Sequence, residues 1–283
     1  MNRLDISTVC NRVALQSPYF AFTDLKRKSK HAVQGSFHAE HERGPERGPI
    51  AAAELVRHLA TLGSCAAIIG SDAPPTFYLG TKGRLRVMRE ASPDEAEPKF
   101  NALAEVLNQD RKSLIAQTMV SSGRYLAHFH CEYQTLPEAV FARTFRHYRT
   151  PPAASPSTSP YREAIELEFE PPRERSLVAH SLPLPENRFA GHFPDYPAWP
   201  ASIYGESISR VSGKLLNHMR GEDVTFNVVR MDIDALRLIS AAQTVSFHVD
   251  CVSASPLLSH YIFQSEVRSG DVLAATIELE VYI

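Results

Sequence analysis

The chain of 283 residues is long enough for two small modules, which is the better interpretation because single cores usually stop growing near this length. Its 30 basic and 32 acidic residues nearly balance, which excludes the global charge typical of proteins that bind nucleic acid or an anionic membrane. The first residues lack the apolar core of a signal peptide, and no stretch reaches the roughly 18 apolar residues of a membrane span. We therefore expect a cytoplasmic protein.

The four cysteines, Cys10, Cys65, Cys131 and Cys251, lie far apart along the chain and form no C-x-x-C pair. This spacing argues against a metal cluster and against a disulfide framework. We interpret them as small core residues.

The first half, residues 1–149, is predicted to hold one long helix, from Pro49 to about Ile69. This helix is apolar nearly all round, which indicates that it is enclosed by other elements. A second, short helix is expected over Lys99–Asn108. Alternation of apolar and polar residues predicts strands over Thr76–Glu90, Ser113–Ser122 and Arg124–Leu136.

A linker separates the halves at residues 150–160, where proline and small polar residues dominate. The second half, residues 161–283, repeats the order of the first. It is predicted to contain a helix from Pro200 to about Met219 and extended runs over Ala164–Pro171, Asp223–Ile239, Thr244–Ala254, Leu258–Gly270 and Val272–Ile283.

One enclosed helix followed by long antiparallel strands, occurring twice, is the layout of the hotdog fold. We expect an α+β protein in which two hotdogs pair side by side, giving one continuous sheet and two central helices.

The run GHFPDYPAWPASIYGE, from Gly191 to Glu206, carries a specific motif. It resembles the active-site segment of the beta-hydroxyacyl-carrier-protein dehydratases, in which G-H-F-P-x-x-P-x-x-P-G leads into a helix with a carboxylate fourteen residues after the histidine. The spacing from His192 to Glu206 is also fourteen residues. Two positions depart from the pattern, because Ala201 replaces a glycine and Trp199 replaces a smaller apolar residue, which affects the shape of the acyl pocket.

The resemblance implies a chemistry that suits these residues. His192 would take the proton alpha to a thioester carbonyl, and the amide of Ala201 at the helix start would hold the carbonyl oxygen. A buried carboxyl would donate a proton to the departing hydroxyl. Three further residues of the motif, Gly191, Phe193 and Pro197, would complete the substrate site with Trp199.

Family knowledge also implies that the histidine of one hotdog works with a carboxylate on the central helix of the other. The first helix holds one acid, Glu54, so we predict the pair His192 and Glu54. Glu206 would belong to a reciprocal site with His41, which keeps the family's eight-residue spacing to Pro49. The loop around His41 lacks the Phe-Pro and the second proline, so this site is predicted to be degenerate. Glu206 as an ion-pair partner of Arg210 remains an equal alternative.

The resulting hypothesis is dehydration of 3-hydroxyacyl thioesters on an acyl carrier protein, giving trans-2-enoyl thioesters in fatty-acid or polyketide assembly. A phosphopantetheine-linked acyl chain is the expected substrate, without a cofactor or a metal. A homodimer or a related hotdog protein is a further expected partner. Two alternatives stay open: an acyl thioesterase with the same fold, and a non-catalytic hotdog subunit.

Overall fold

The computed structural model describes residues 3–69, 74–89, 99–151, 156 and 158–283. In this part of the chain, no helix combines the length and the apolar character needed to cross a membrane. All four cysteines are buried and free, which confirms their interpretation as small core residues.

The two halves present their helices and strands in a matching order. The elements of the first half are α1 (Ile6–Val13), β1 (Asp24–Arg27), β2 (Ala32–His38), α2 (Ala52–Ala67), β3 (Thr76–Arg89), β4 (Lys99–Gln109), β5 (Ser113–Ser122), β6 (Tyr125–Pro137) and α3 (Glu138–Thr144). Those of the second half are β7 (Glu168–Phe169), β8 (Ser176–Ser181), α4 (Ala201–Arg220), β9 (Asn227–Ala235), β10 (Val245–Ser255), β11 (His260–Ser269) and β12 (Val272–Tyr282).

Within the described ranges, twelve strands form one antiparallel sheet in the order β1-β2-β4-β5-β6-β3-β9-β12-β11-β10-β8-β7. The second half of this order mirrors the first, with the joint between β3 and β9. Two ion pairs cross the joint, Arg84 to Asp234 at 2.6 Å and Arg86 to Asp232 at 2.5 Å. This arrangement confirms the predicted α+β double hotdog.

The central helices α2 and α4 each pack on the strands of their own half and also contact each other. Every residue of α2 except Ala60 is buried, as its apolar composition predicts. At the helix contact, a Cβ atom placed on Gly205 would lie 3.4 Å from Cβ of Ala53 and 3.1 Å from Sδ of Met231. A small residue at position 205 therefore lets the two helices approach.

The short helix predicted over Lys99–Asn108 is wrong, because these residues belong to strand β4. Their burial alternates, with Phe100, Ala102 and Ala104 buried and Asn101 exposed. Pairing with β2 on one side and β5 on the other fixes the extended backbone. Long-range pairing overrides the helix propensity of alanine and leucine here.

The beginning of the second half also differs from the prediction. Only residues 168 and 169 of the run Ala164–Pro171 form a strand, and β8 is absent from the elements predicted above. Residues 152–155 and 157 of the expected linker lie outside the described residues, as does the end of the strand predicted to reach Glu90. The domain boundaries at 149 and 161 therefore stay predictions.

A larger side chain at the contact between α2 and α4 tests how much this contact contributes to stability. We expect Gly205→Leu to lower the free energy of unfolding by about 1–3 kcal/mol, because the added carbons have no room against Ala53 and Met231. Urea unfolding followed by circular dichroism measures this change.

Gly80→Ala is the matched control, since its Cβ would meet only Sγ of Cys131, at an ordinary 3.7 Å. Equal stability of the two variants would contradict the close approach of α2 and α4.

Candidate active site

The backbone of the first half fastens the loop that carries His192. Gly191 has φ +84°, and a Cβ atom there would lie 2.1 Å from the carbonyl oxygen of Gln16. The amide of Gln16 donates to the carbonyl oxygen of Gly191 at 2.9 Å, and Leu15 forms a β-bridge with His192. Only glycine fits this position, which explains the first letter of the motif.

His192 itself is buried, with its ring packed against those of Tyr19 and Phe193. Its Nδ1 lies 3.3 Å from the carbonyl oxygen of Ala198. A carbonyl oxygen only accepts, so Nδ1 carries the proton and Nε2 is left as the basic nitrogen. Burial lowers the pKa of His192 to about 4, which keeps the ring neutral at pH 7.

A cavity of about 490 Å³ lies between the two halves and includes His192 in its wall. The first half contributes Arg57, Thr61 and Ser64 of α2, together with side chains of β3 and β6. The second half contributes the start of α4 and the end of β9. Exposed Lys82, His147 and Arg237 mark its opening to solvent.

The predicted substrate-site residues divide into two groups. Phe193, Trp199 and Ala201 line the cavity. Gly191 and Pro197 instead shape the loop, since the carbonyl oxygen of Pro197 accepts from the amide of Ala241 at 3.1 Å. Ala201 is the first residue of α4, where the helix leaves backbone N–H groups without intrahelical acceptors.

Glu54 is not placed with His192. Its side chain is fully buried, but its carboxylate accepts from the backbone amides of Glu40 at 2.7 Å and of His41 at 3.3 Å. Among the described residues that line the cavity, neither Glu54 nor any other carboxylate occurs. The predicted pairing of His192 with Glu54 is therefore not what the structure shows.

The register of the two central helices explains this difference. The N-cap of α4 is Pro200, but the N-cap of α2 is Ala51 and not Pro49. Counted from these N-caps, the residue of α2 that matches Glu206 is Arg57. Counting from Pro49 places Glu54 near this position and misses the guanidinium that lines the cavity.

Glu206 lies outside the cavity, near the start of α2. It is buried, and burial raises the pKa of its carboxyl to about 7, although Arg188 and Arg210 act in the opposite direction. Within the part of the chain that the structure describes, its Oε2 has no hydrogen-bond partner. Arg210 donates to the carbonyl oxygen of Ile165. The ion pair of Glu206 with Arg210 that the sequence suggested is therefore not the main contact of Arg210.

The start of α2 is closed by Glu46, which sequence analysis missed. Its carboxylate accepts from the amide of Ala52 at 2.7 Å and from Oγ of Ser209 at 2.6 Å. Ala52 is the first residue of α2, as Ala201 is of α4. The amide that a reciprocal site would need is therefore already bonded, which favours the expectation that this second site is degenerate.

Glu40, His41 and Glu54 bring three potential metal ligands within 4.8 Å of one another, although their sequence spacing gives no sign of a metal site. A cation already lies there, because Nη2 of Arg57 is 2.5 Å from Oε1 of Glu40 and 4.0 Å from Oε1 of Glu54. Repulsion from this guanidinium opposes a divalent ion, so the cluster does not fit a metal centre.

No protein-family model and no curated protein sequence matches this chain. Solved structures match over almost the whole chain. The chain is a double hotdog. The tesB protein of Mycobacterium avium subsp. paratuberculosis is similar with a TM-score of 0.56 and 11% identity, over 91% of this chain and 94% of that chain. An acyl-ACP thioesterase from Bacteroides thetaiotaomicron has a TM-score of 0.54 and 13% identity, over 90% of this chain and 100% of that chain. A conserved protein of unknown function with a hot dog fold from Alicyclobacillus acidocaldarius has a TM-score of 0.52 and 11% identity, over 96% of this chain and 97% of that chain.

These similarities support the hotdog fold. They do not assign the chain to the dehydratase family that its motif resembles. At 11–13% identity they show the fold alone. The chemistry therefore has to be argued from the residues of the cavity.

The environments of His192 and Glu206 predict opposite effects of pH on stability. Between pH 6.5 and about 4, the unfolded state protonates His192 and the folded state does not, so the folded state loses stability as the pH falls, by about 3 kcal/mol in full. Glu206 binds its proton in the folded state up to about pH 7, so its contribution is lost as the pH rises from 4.5 to 7.

We expect His192→Gln to make the loss of stability at low pH less steep than in the wild type. Glu206→Gln should instead make the loss at rising pH less steep. Urea unfolding at a series of pH values measures both, and the same change in both variants would contradict the assignment.

Proposed function

We propose that this double hotdog hydrolyses an acyl thioester in the cavity between its halves. The proposal is carried by one observation: a neutral histidine, His192, and the start of α4 line a cavity whose described wall contains no carboxyl group. A base and an amide donor are sufficient for hydrolysis of a thioester.

The step follows from these two groups. Nε2 of His192 accepts a proton from water as the water oxygen adds to the carbonyl carbon of the thioester. The amide of Ala201 donates to the oxyanion that forms. The carbon–sulfur bond then breaks, and the thiolate takes the proton from the imidazolium, which leaves a free thiol and a carboxylic acid. A thiol, with a pKa of about 8.5, leaves with little help from an acid.

Dehydration, the reaction implied by the motif, requires one more group in the site, a proton donor for the departing hydroxyl. Departure of hydroxide requires a proton donor, and the dehydratase pattern supplies a carboxylic acid for it. Arg57 occupies the corresponding helix position here, and a guanidinium is a poor proton donor. Hydrolysis is therefore the better supported reaction.

Dehydration remains the second candidate because His192 stands in the sequence motif that resembles the dehydratases, with Nδ1 at the Ala198 carbonyl and the start of α4 in the same cavity. In that reaction His192 takes the proton alpha to the carbonyl. Its imidazolium then returns a proton to the hydroxyl at carbon three, which leaves as water.

The opening of the cavity supports a thioester carried by phosphopantetheine. Exposed Lys82, His147 and Arg237 lie beside it, and the lysine and arginine side chains attract the phosphate of such an arm, whether it belongs to coenzyme A or to an acyl carrier protein. Lys82 also pairs with Glu132 at 3.3 Å. Two solved structures with this fold are described as an acyl-CoA thioesterase and an acyl-ACP thioesterase, which agrees with a substrate of this class.

Saturated and 3-hydroxyacyl thioesters of equal chain length test the proposal. We expect the wild type to release free thiol from both, and His192→Ala to lower this rate by about 100-fold or more, because the base is lost. Thiol release is measured with a disulfide reagent, and enoyl formation by ultraviolet absorbance.

His41→Ala is the matched control, since His41 is as buried as His192 but lies outside the cavity wall; it should retain the wild-type rate. Enoyl absorbance without thiol release would establish dehydration instead. Absence of both reactions, together with binding of the thioesters, would establish the non-catalytic alternative.

A further inference from the structure

Arg57 is a buried cation that the proposed hydrolysis does not use. Its side chain is fully buried and lines the cavity that also contains His192. Its Nη2 pairs with Glu40 and lies 3.2 Å from Nε2 of His58. Its Nε and Nη1 are both buried and, among the described residues, have no hydrogen-bond acceptor.

Neighbouring rings hold the guanidinium in place. The Cζ atom of Arg57 lies 4.8 Å from the ring centre of Tyr161 and 5.7 Å from that of Tyr19. The adjacent carboxylates are already engaged, because Glu54 accepts two backbone amides and Glu40 pairs with Nη2. Neither carboxylate bonds to Nε or Nη1.

Unpaired donors of a buried cation are costly, so an acceptor from the substrate is expected to meet them. No carboxylate lines the described wall of the cavity, so an anionic acceptor would meet no acid there, although Glu40 already balances part of the charge of Arg57. Carboxylates are the usual anionic partners of guanidinium groups.

We propose that Arg57 binds a carboxylate carried by the acyl chain, so that the protein prefers thioesters of dicarboxylic acids to those of simple fatty acids. This inference rests on the proposed function, because it assumes that the acyl chain lies in the His192 cavity. His192 and Arg57, from opposite halves, would then contact the two ends of one acyl group.

Binding of two thioethers to the full chain tests the inference without relying on catalysis. The probes are S-carboxybutyl pantetheine and S-pentyl pantetheine, which have equal carbon chains and cannot be hydrolysed. Isothermal titration calorimetry should show the carboxylated probe binding about tenfold tighter to the wild type. Arg57→Met should abolish this preference and leave the affinity for the S-pentyl probe unchanged.

Arg210→Met is the matched control, since Arg210 lies on the facing central helix but outside the cavity wall; it should keep the preference. Equal affinities in the wild type, or an equal loss for both probes in Arg57→Met, would overturn the inference while leaving the thioester site intact. Binding of neither probe to the wild type would contradict the proposed function as well.

A melting curve shows whether Arg57→Met folds. If it does not, Arg57→Lys decides the question, because lysine keeps the charge but not the guanidinium donors. A reduced preference in that variant supports the inference, and an unchanged preference overturns it.

Discussion

The pairing of β3 with β9 is the contact on which the candidate site depends. It joins the two half-sheets into one sheet and thereby sets α2, in which every residue except Ala60 is buried, alongside α4. Arg57 from the first half and His192 from the second then line the same cavity. The site belongs to the pair of halves, since each half alone supplies only part of its wall.

The two halves share a topology but differ where their central helices begin. At α4 the first residue, Ala201, lies in the wall of the cavity, whereas at α2 the amide of Ala52 is bonded to the carboxylate of Glu46. The matched helix positions hold a guanidinium, that of Arg57 in α2, and a carboxyl group, that of Glu206 in α4. In one place the repeated topology provides a cavity lined by His192 and Arg57. In the matching place it holds the buried carboxyl group of Glu206, whose pKa is raised.

Much of this fold could be predicted from local patterns. The enclosure of α2 follows from its apolar surface, and the motif beginning at Gly191 predicts a loop that presents a histidine. Strand β4 was missed because its alanine and leucine residues favour a helix locally, and only pairing with β2 and β5 makes it extended. The residue of α2 that shares the cavity with His192, Arg57, was also missed, because the start of α2 was placed too early. The N-cap of α2 is Ala51, two residues beyond Pro49, and no sequence signal shows this shift or the bond from Ala52 to Glu46 that accompanies it.

A crystal structure of the protein with S-carboxybutyl pantetheine tests the central claim most directly, because it locates both ends of the bound chain. We expect the sulfur beside His192 and the start of α4, with the carboxylate bonded to Nε or Nη1 of Arg57 and the pantetheine arm passing Lys82. Density for the ligand outside the cavity between the halves would contradict the account.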